Sequence, residues 1–281
     1  MDLDRRNLRR ADQVIRLAPI SMMFTALAFA GALAATPAGG TPSSHHADTL
    51  RVVLVVDDTI AQRSLLRGAL LGAEEASHTG ALFGRVVTLR VALPAFLDSV
   101  ERATPSSGSR SPLPSMYLVA GDSATCSRVM LQSARHSIPA LDAGCALGDS
   151  ARRATVYSIF PPTNATAATD DSTRLELWHS SLERFGGEQL NERFRRRFGA
   201  MMDSQAWAGW FALKVALDAA LHAQATNGAA LLRQLGDPSA QYDGQKGRPL
   251  RFAPDTHRLI QPLYRVAGRG GAEHVVAEVL P

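Results

Sequence analysis

LRVVLVVD, residues 50–57, is a continuous apolar run bounded by polar residues. Its valines are β-branched and favour extended backbone, and the lack of alternation marks a strand buried on both faces. Downstream, Arg63 to Ser77 places Leu65, Leu66, Ala69, Leu70, Ala73 and Ala76 at helical spacing. Gly84 to Val91 is a second β-type run. Strand, helix and strand at this spacing predict a βαβ unit with a parallel sheet.

The pattern continues outward from that unit. TPSSGSRSPLP (104–114) is a breaker-rich loop, Ser115 to Ala120 another buried strand and Ala124 to His136 a helix. Ile138 to Ala143 and Thr155 to Phe160 read as strands, and NATAATDD (164–171) as a turn or hinge. The last third reads as mostly helical. Arg174 to Phe185 carries Leu175, Trp178, Leu182 and Phe185 on one side, closed by Gly186-Gly187. Gln189 to Phe198 is a short basic helix. Ser204 to Ala223 has a stripe of Trp207, Trp210, Phe211, Leu217 and Leu221, with Asp203 or Ser204 to cap it. Asn227-Gly228 reads as its terminator. A short helix at 229–235 follows, then β-type runs at Pro249 to Phe252, Pro262 to Val266 and Val275 to Leu280.

The N-terminus differs in kind. Met1 to Arg16 holds five arginines, an apolar run follows from Leu17 to Ala35, and Ala32-Leu33-Ala34 has the small-x-small form of a peptidase site. Residues 1–34 read as a signal peptide and 35–49 as a flexible tether, leaving 50–281 as one α/β domain. Within it, 50–160 form a βαβ lobe, 172–235 a helical part and 242–281 the C-terminal β segments. The mature protein belongs in the periplasm; a retained membrane anchor is the rival reading. Loss of residues 1–34 takes the formal charge from +4 to +2. No Lys/Arg stripe interleaved with aromatics occurs, which argues against nucleic acid. Arg193 and Arg195 to Arg197 read as a solvated helix face.

Few residues suggest chemistry. Asp57-Asp58 at a strand end resembles the metal-binding pair of receiver domains, but the third strand carries no aspartate in register, so the pair reads as a turn. Gly121-Asp122-Ser123 lacks the second glycine of a nucleophile elbow. The eight histidines, apart from the adjacent His45-His46 in the tether, are scattered singly, without zincin spacing. An exported hydrolase would require His136 or His179 beside Ser123. No metal and no cofactor are expected, and the chain does not read as an enzyme. Cys126 and Cys145 are its two cysteines. In an oxidising compartment they read as a disulfide, unless one lies in a strand facing away from the other.

Residues 67–91, RGALLGAEEASHTGALFGRVVTLRV, resemble the opening helix and second strand of type I periplasmic solute-binding proteins, the leucine/isoleucine/valine-binding class. Residues 177–199, 202–221 and 242–266 resemble a branch of that class encoded beside pyrroloquinoline-quinone-dependent alcohol oxidation genes. The resemblance implies a three-layer parallel-sheet lobe that delivers a small polar solute, such as an amino acid, to an inner-membrane ABC transporter. It also implies an accessory place near a quinoprotein dehydrogenase system. Family contacts carried over fall at Ser123 and Thr125, with Ala143 after the next strand; Ser123 reads equally as a helix N-cap. The chain departs from the family after Phe160. It continues with Pro161-Pro162 and reaches LWHSSLERF after about 15 residues, too few for the βαβ core of a second lobe. A non-binding interaction or scaffold protein is therefore the alternative, and it predicts an apolar patch where that lobe would sit.

Overall fold

The computed structural model describes residues 14–15, 48–102, 113–145, 154–162, 173–268 and 273–280. The expected signal peptide, tether and 164–171 hinge therefore lie almost wholly outside the described residues. The main sheet contains β1 (Val14–Ile15), β2 (Thr49–Val56), β3 (Val86–Ala92), β4 (Met116–Gly121), β5 (Ala140–Cys145) and β6 (Val156–Ser158), in the order β1-β3-β2-β4-β5-β6. β1 is an antiparallel edge on β3, and the other five strands run parallel. A parallel sheet needs both faces covered, and β2 shows how this is done. Leu50, Val52, Leu54 and Val56 face one core, whereas Val53 and Val55 face the other.

The helices are α1 (Arg63–Leu82), α2 (Phe96–Arg102), α3 (Ser123–His136), α4 (Gly187–Phe198), α5 (Ser204–His222) and α6 (Gly228–Leu235). α1 and α5 line the core that holds the even-numbered β2 residues, and α2 and α3 line the other. α1 and α5 approach so closely that a Cβ at Gly68 would overlap the Ala206 carbonyl. α5 is buried over most of its circumference rather than along one stripe, with Trp207, Phe211, Val215, Ala216 and Ala219 fully enclosed and the Lys214–Asp218 pair half-buried. A helix apolar over most of its circumference belongs in the interior. Asp203 caps it, accepting the Ala206 N–H at 2.8 Å.

Two expectations for the last third are corrected. Arg174 to Phe185 is not a helix. Residues Thr173–Glu176 form β7, which pairs antiparallel with β11 (Leu263–Ala267), and only Arg184–Gly186 make a single 3-10 turn. The apolar spacing did not mark one face: Trp178 is fully buried while Phe185 is 60% exposed. A strand partner some ninety residues downstream outweighed local propensity. The helical part of 172–235 thus opens on a strand. Asn227 does not terminate α5; its side chain accepts the Ala230 N–H at 3.0 Å and starts α6.

The C-terminal segments build two small antiparallel sheets. One is β10 (Leu259–Ile260), β9 (Pro249–Phe252) and β8 (Tyr242–Asp243); the other is β12 (His274–Val279), β11 and β7. Among the described residues there is one parallel sheet, and no helix is long and apolar enough to cross a membrane.

Candidate functional site

The chain winds from β2 outward to β3, then returns past β2 to β4 on its other side. Such a reversal opens a crevice at the carboxyl ends of the two strands, where open α/β sheets bind ligands. Here that crevice lies between the residues following β2 and those following β4.

Asp57 ends the first of these strands. Its carboxylate accepts the Asp58 N–H at 2.7 Å and the Asp122 N–H at 2.6 Å, which clamps the two strand ends together. Gly121 has φ +145°, and a Cβ there would sit 2.8 Å from the Asp57 carboxyl group. Only glycine admits that approach. Asp58 turns inward on its own loop, accepting the Ile60 N–H at 2.7 Å, and so forms a turn leading into α1.

Asp122 is the N-cap of α3, accepting the Thr125 N–H at 2.7 Å. These bonds from Thr125 hold its carboxyl below the usual aspartate range. The expectation that Ser123 caps this helix is corrected, because Ser123 is already its first helical residue. Ser123 is exposed at the crevice, and its hydroxyl has no protein partner among the described residues. Thr125 and Ala143 do not join it at the surface. Thr125 is buried, with its hydroxyl bonded to Asp122, and the Ala143 side chain is fully enclosed in the core.

Behind the crevice, Cys126 of α3 and Cys145 of β5 are joined by a disulfide, with Cα atoms 6.0 Å apart. Asp142 is buried beside it. Its carboxylate accepts the Gly144 and Cys145 N–H groups at 3.1 and 2.8 Å and the Ser158 hydroxyl at 3.0 Å. With three donors it is satisfied as a structural group.

The hydrolase arrangement is not present. Ser123 and His136 occupy opposite ends of α3, about 20 Å apart at 1.5 Å per residue. His179 instead bonds the Ser181 hydroxyl at 2.9 Å, and that hydroxyl accepts the Val275 N–H. No group of three His, Cys, Asp or Glu side chains suited to a metal occurs among the described residues.

Sequence reasoning missed one buried group. Lys246, in the turn between β8 and β9, is 1% exposed. Its ammonium nitrogen lies 2.8 Å from Gln261 Oε1 and 3.1 Å from the Pro262 carbonyl, and 4.0 Å from the centre of the Trp207 ring. Gln261 donates in turn to the Ile159 carbonyl at 2.6 Å. Lys246 thereby ties the chain leaving β6 to two turns a hundred residues later. A lysine between glycine and glutamine in a polar turn looks solvated in sequence, and no local signal reveals its burial.

The fold is that of type I periplasmic binding proteins. Solved structures similar to it include an ABC transporter substrate-binding protein from Sphaerobacter thermophilus, with TM-score 0.64 and 11% identity over 83% of this chain and 98% of that one. An ABC-type branched-chain amino acid transporter from Rhodopseudomonas palustris matches with TM-score 0.65 and 12% identity over 82% and 96%. A branched-chain amino acid transporter substrate-binding protein from Streptococcus pneumoniae, in complex with isoleucine, matches with TM-score 0.62 and 11% identity over 83% and 100%. No family model and no curated protein matches the sequence.

Proposed function

We propose that this protein is a periplasmic solute-binding protein that holds a small polar solute at the β2–β4 crevice and serves an ABC transporter. The observation that carries this reading is the convergence of Asp57, Gly121, Asp122 and the unpartnered Ser123 hydroxyl at the reversal point of a binding-protein fold. The crevice also selects. Its Asp122 and Thr125 N–H groups are taken by the protein's own carboxylates. Solute amines and hydroxyls therefore fit better than a solute carboxylate. Ser123 is the side chain that touches solute; Thr125 and Ala143 support it from beneath. One parallel sheet is described, and in this reading the solute is held from that side alone. Resemblance of 177–199, 202–221 and 242–266 to the alcohol-oxidation branch supports an accessory place beside a quinoprotein dehydrogenase.

Native mass spectrometry of the purified protein, followed by calorimetric titration with amino acids, polyols and amines, tests the reading. A solute that titrates saturably, weakly at about the millimolar level, and whose affinity falls in Ser123→Ala and Asp57→Asn is expected. A protein that carries nothing and answers none of these solutes would refute solute binding. A solute-free stable dimer would replace it with the interaction-protein reading.

A further inference from the structure

A second concavity lies away from the β2–β4 crevice. It has a volume of about 430 Å³ and is walled by Phe185 on one side and by the 242–249 turn on the other, which is the size of a small-molecule site. Its construction is costly. Phe185 has φ +57° and ψ +29°, and Gln245 has φ +56°. Left-handed backbone is uncommon for residues other than glycine, and persists only where the surrounding structure holds it. Gly186 and Gly247, at φ +88° and +74°, adjoin them.

The strain is spent on keeping an aromatic ring at the surface, since Phe185 remains 60% exposed. The opposite wall is rigid because Lys246 is sunk between Trp207 and Tyr264. Its neighbour Gly247 is exposed and lies against the Phe185 ring, whereas Gln245 is half-buried beside Gly186. A Cβ on Gly247 would sit 2.5 Å from that ring. The cleft also carries one group of each charge. Arg248 is half exposed, with only a long 3.5 Å contact to Glu278. Asp243 is exposed, with one carboxylate oxygen accepting the Gln245 N–H at 2.8 Å.

We infer that this cleft is a second binding site, distinct from the β2–β4 crevice, for an aromatic zwitterion such as an aromatic α-amino acid. The ring stacks on Phe185, the carboxylate meets the Arg248 guanidinium and the ammonium meets the free oxygen of Asp243. Arg offers a planar fork matched to a carboxylate. Stacked aromatic pairs add to what burial alone supplies. The cleft is open on one side, so binding is weak and depends on all three contacts together.

Calorimetric or NMR titration of the purified protein with L-phenylalanine tests this, with benzoate and phenethylamine as the two half-ligands. L-phenylalanine is expected to bind saturably, and each half-ligand at least about tenfold more weakly, one charged contact being lost. Phe185→Leu and Arg248→Gln, both at the surface, should weaken L-phenylalanine by a similar factor, while Ser123→Ala leaves it unchanged. Absence of saturable binding overturns the inference. So does equal binding of benzoate, or binding untouched by Phe185→Leu and Arg248→Gln. Loss of L-phenylalanine binding in Ser123→Ala would move the ligand to the β2–β4 crevice and overturn it as well, leaving the solute-binding reading standing. Because the two sites use different residues, failure of this cleft says nothing against the crevice.

Discussion

Replacing Lys246 by methionine should change how the stability of this protein depends on pH. The side chain is buried and, among the described residues, has no carboxylate in ion-pair contact. Burial pushes its amine well below the usual lysine range, opposed only by the charge of Glu278 on β12, which is itself in contact with Arg248. The Trp207 and Tyr264 faces attract a cation, by about 2 kcal/mol at most for a desolvated pair. Stripping an ammonium of water costs several kcal/mol. Desolvation therefore outweighs the attraction, and folding favours the neutral amine relative to an exposed lysine. Its two N–H groups then match the two acceptors present, Gln261 Oε1 and the Pro262 carbonyl.

The sign follows from linkage. The unfolded chain binds a proton at Lys246 that the folded chain does not, so stability rises with pH. It does so from the depressed folded value up to the ordinary lysine value near ~10.4. Within that window the slope is about 1.4 kcal/mol per pH unit, or roughly 3–6 °C in Tm per unit for a domain of this size. Below the folded value both states carry the proton and the slope vanishes. Lys246→Met removes the titrating group, although it leaves two buried acceptors unpaired at about 1–3 kcal/mol each. Wild type and variant should be unfolded in parallel by urea at a series of pH values up to about pH 9, still below the ordinary lysine value. Their difference should grow in favour of wild type as pH rises, all other titrations cancelling. Two curves that stay parallel throughout would show Lys246 buried as a cation, refuting the comparison of desolvation with cation–π attraction.

Two further outcomes test the scaffold. Cys126→Ser/Cys145→Ser should lower stability by about 3 kcal/mol, the loop-closure value for a span of 19 residues, seen as a lower urea midpoint that matches reduced wild type. Gly68→Ala must push α1 off the Ala206 carbonyl; a loss of about 1–3 kcal/mol in thermal unfolding is expected, whereas Gly84→Ala, which meets no neighbouring atom, should lose only the cost of its positive φ.

The parallel sheet was legible because its signal is local. Runs such as 50–57 are apolar without alternation, and the structure buries Val52 to Val56 from both sides. One helix start was as clear, since Asp203 performs the capping role that its position suggests, whereas Asp122 rather than Ser123 caps α3 and Asn227 starts α6 instead of ending α5. Reading failed where distant partners decide. Thr173–Glu176 became a strand because β11 pairs with it, and apolar spacing alone could not separate the buried Trp178 from the exposed Phe185. The candidate site was half visible. Ser123 was placed at the crevice, but the clamp that builds it, Asp57 on the Asp122 N–H, joins residues 65 apart and leaves no pattern in the chain. The same holds for Lys246, whose burial depends on Trp207, Gln261 and Tyr264 arriving from three separate elements.

On the proposed one-sided site, affinity is bounded by simple accounting. Association costs about 4 kcal/mol or more in lost motional freedom. An exposed hydroxyl such as Ser123 returns only about 0.5–1.5 kcal/mol per hydrogen bond because water competes for it. The Ser123 hydrogen bond alone therefore does not offset that cost, and the open crevice by itself holds a small solute no more tightly than about the millimolar level, near −4 kcal/mol. Tighter binding requires a second surface over the same edge to exclude water and raise the worth of each contact. If that surface comes from another protein, solute and partner each strengthen the other's binding by the same factor. A low solute affinity measured on the isolated chain is then what the geometry demands, and the partner that covers the crevice determines how much solute is carried.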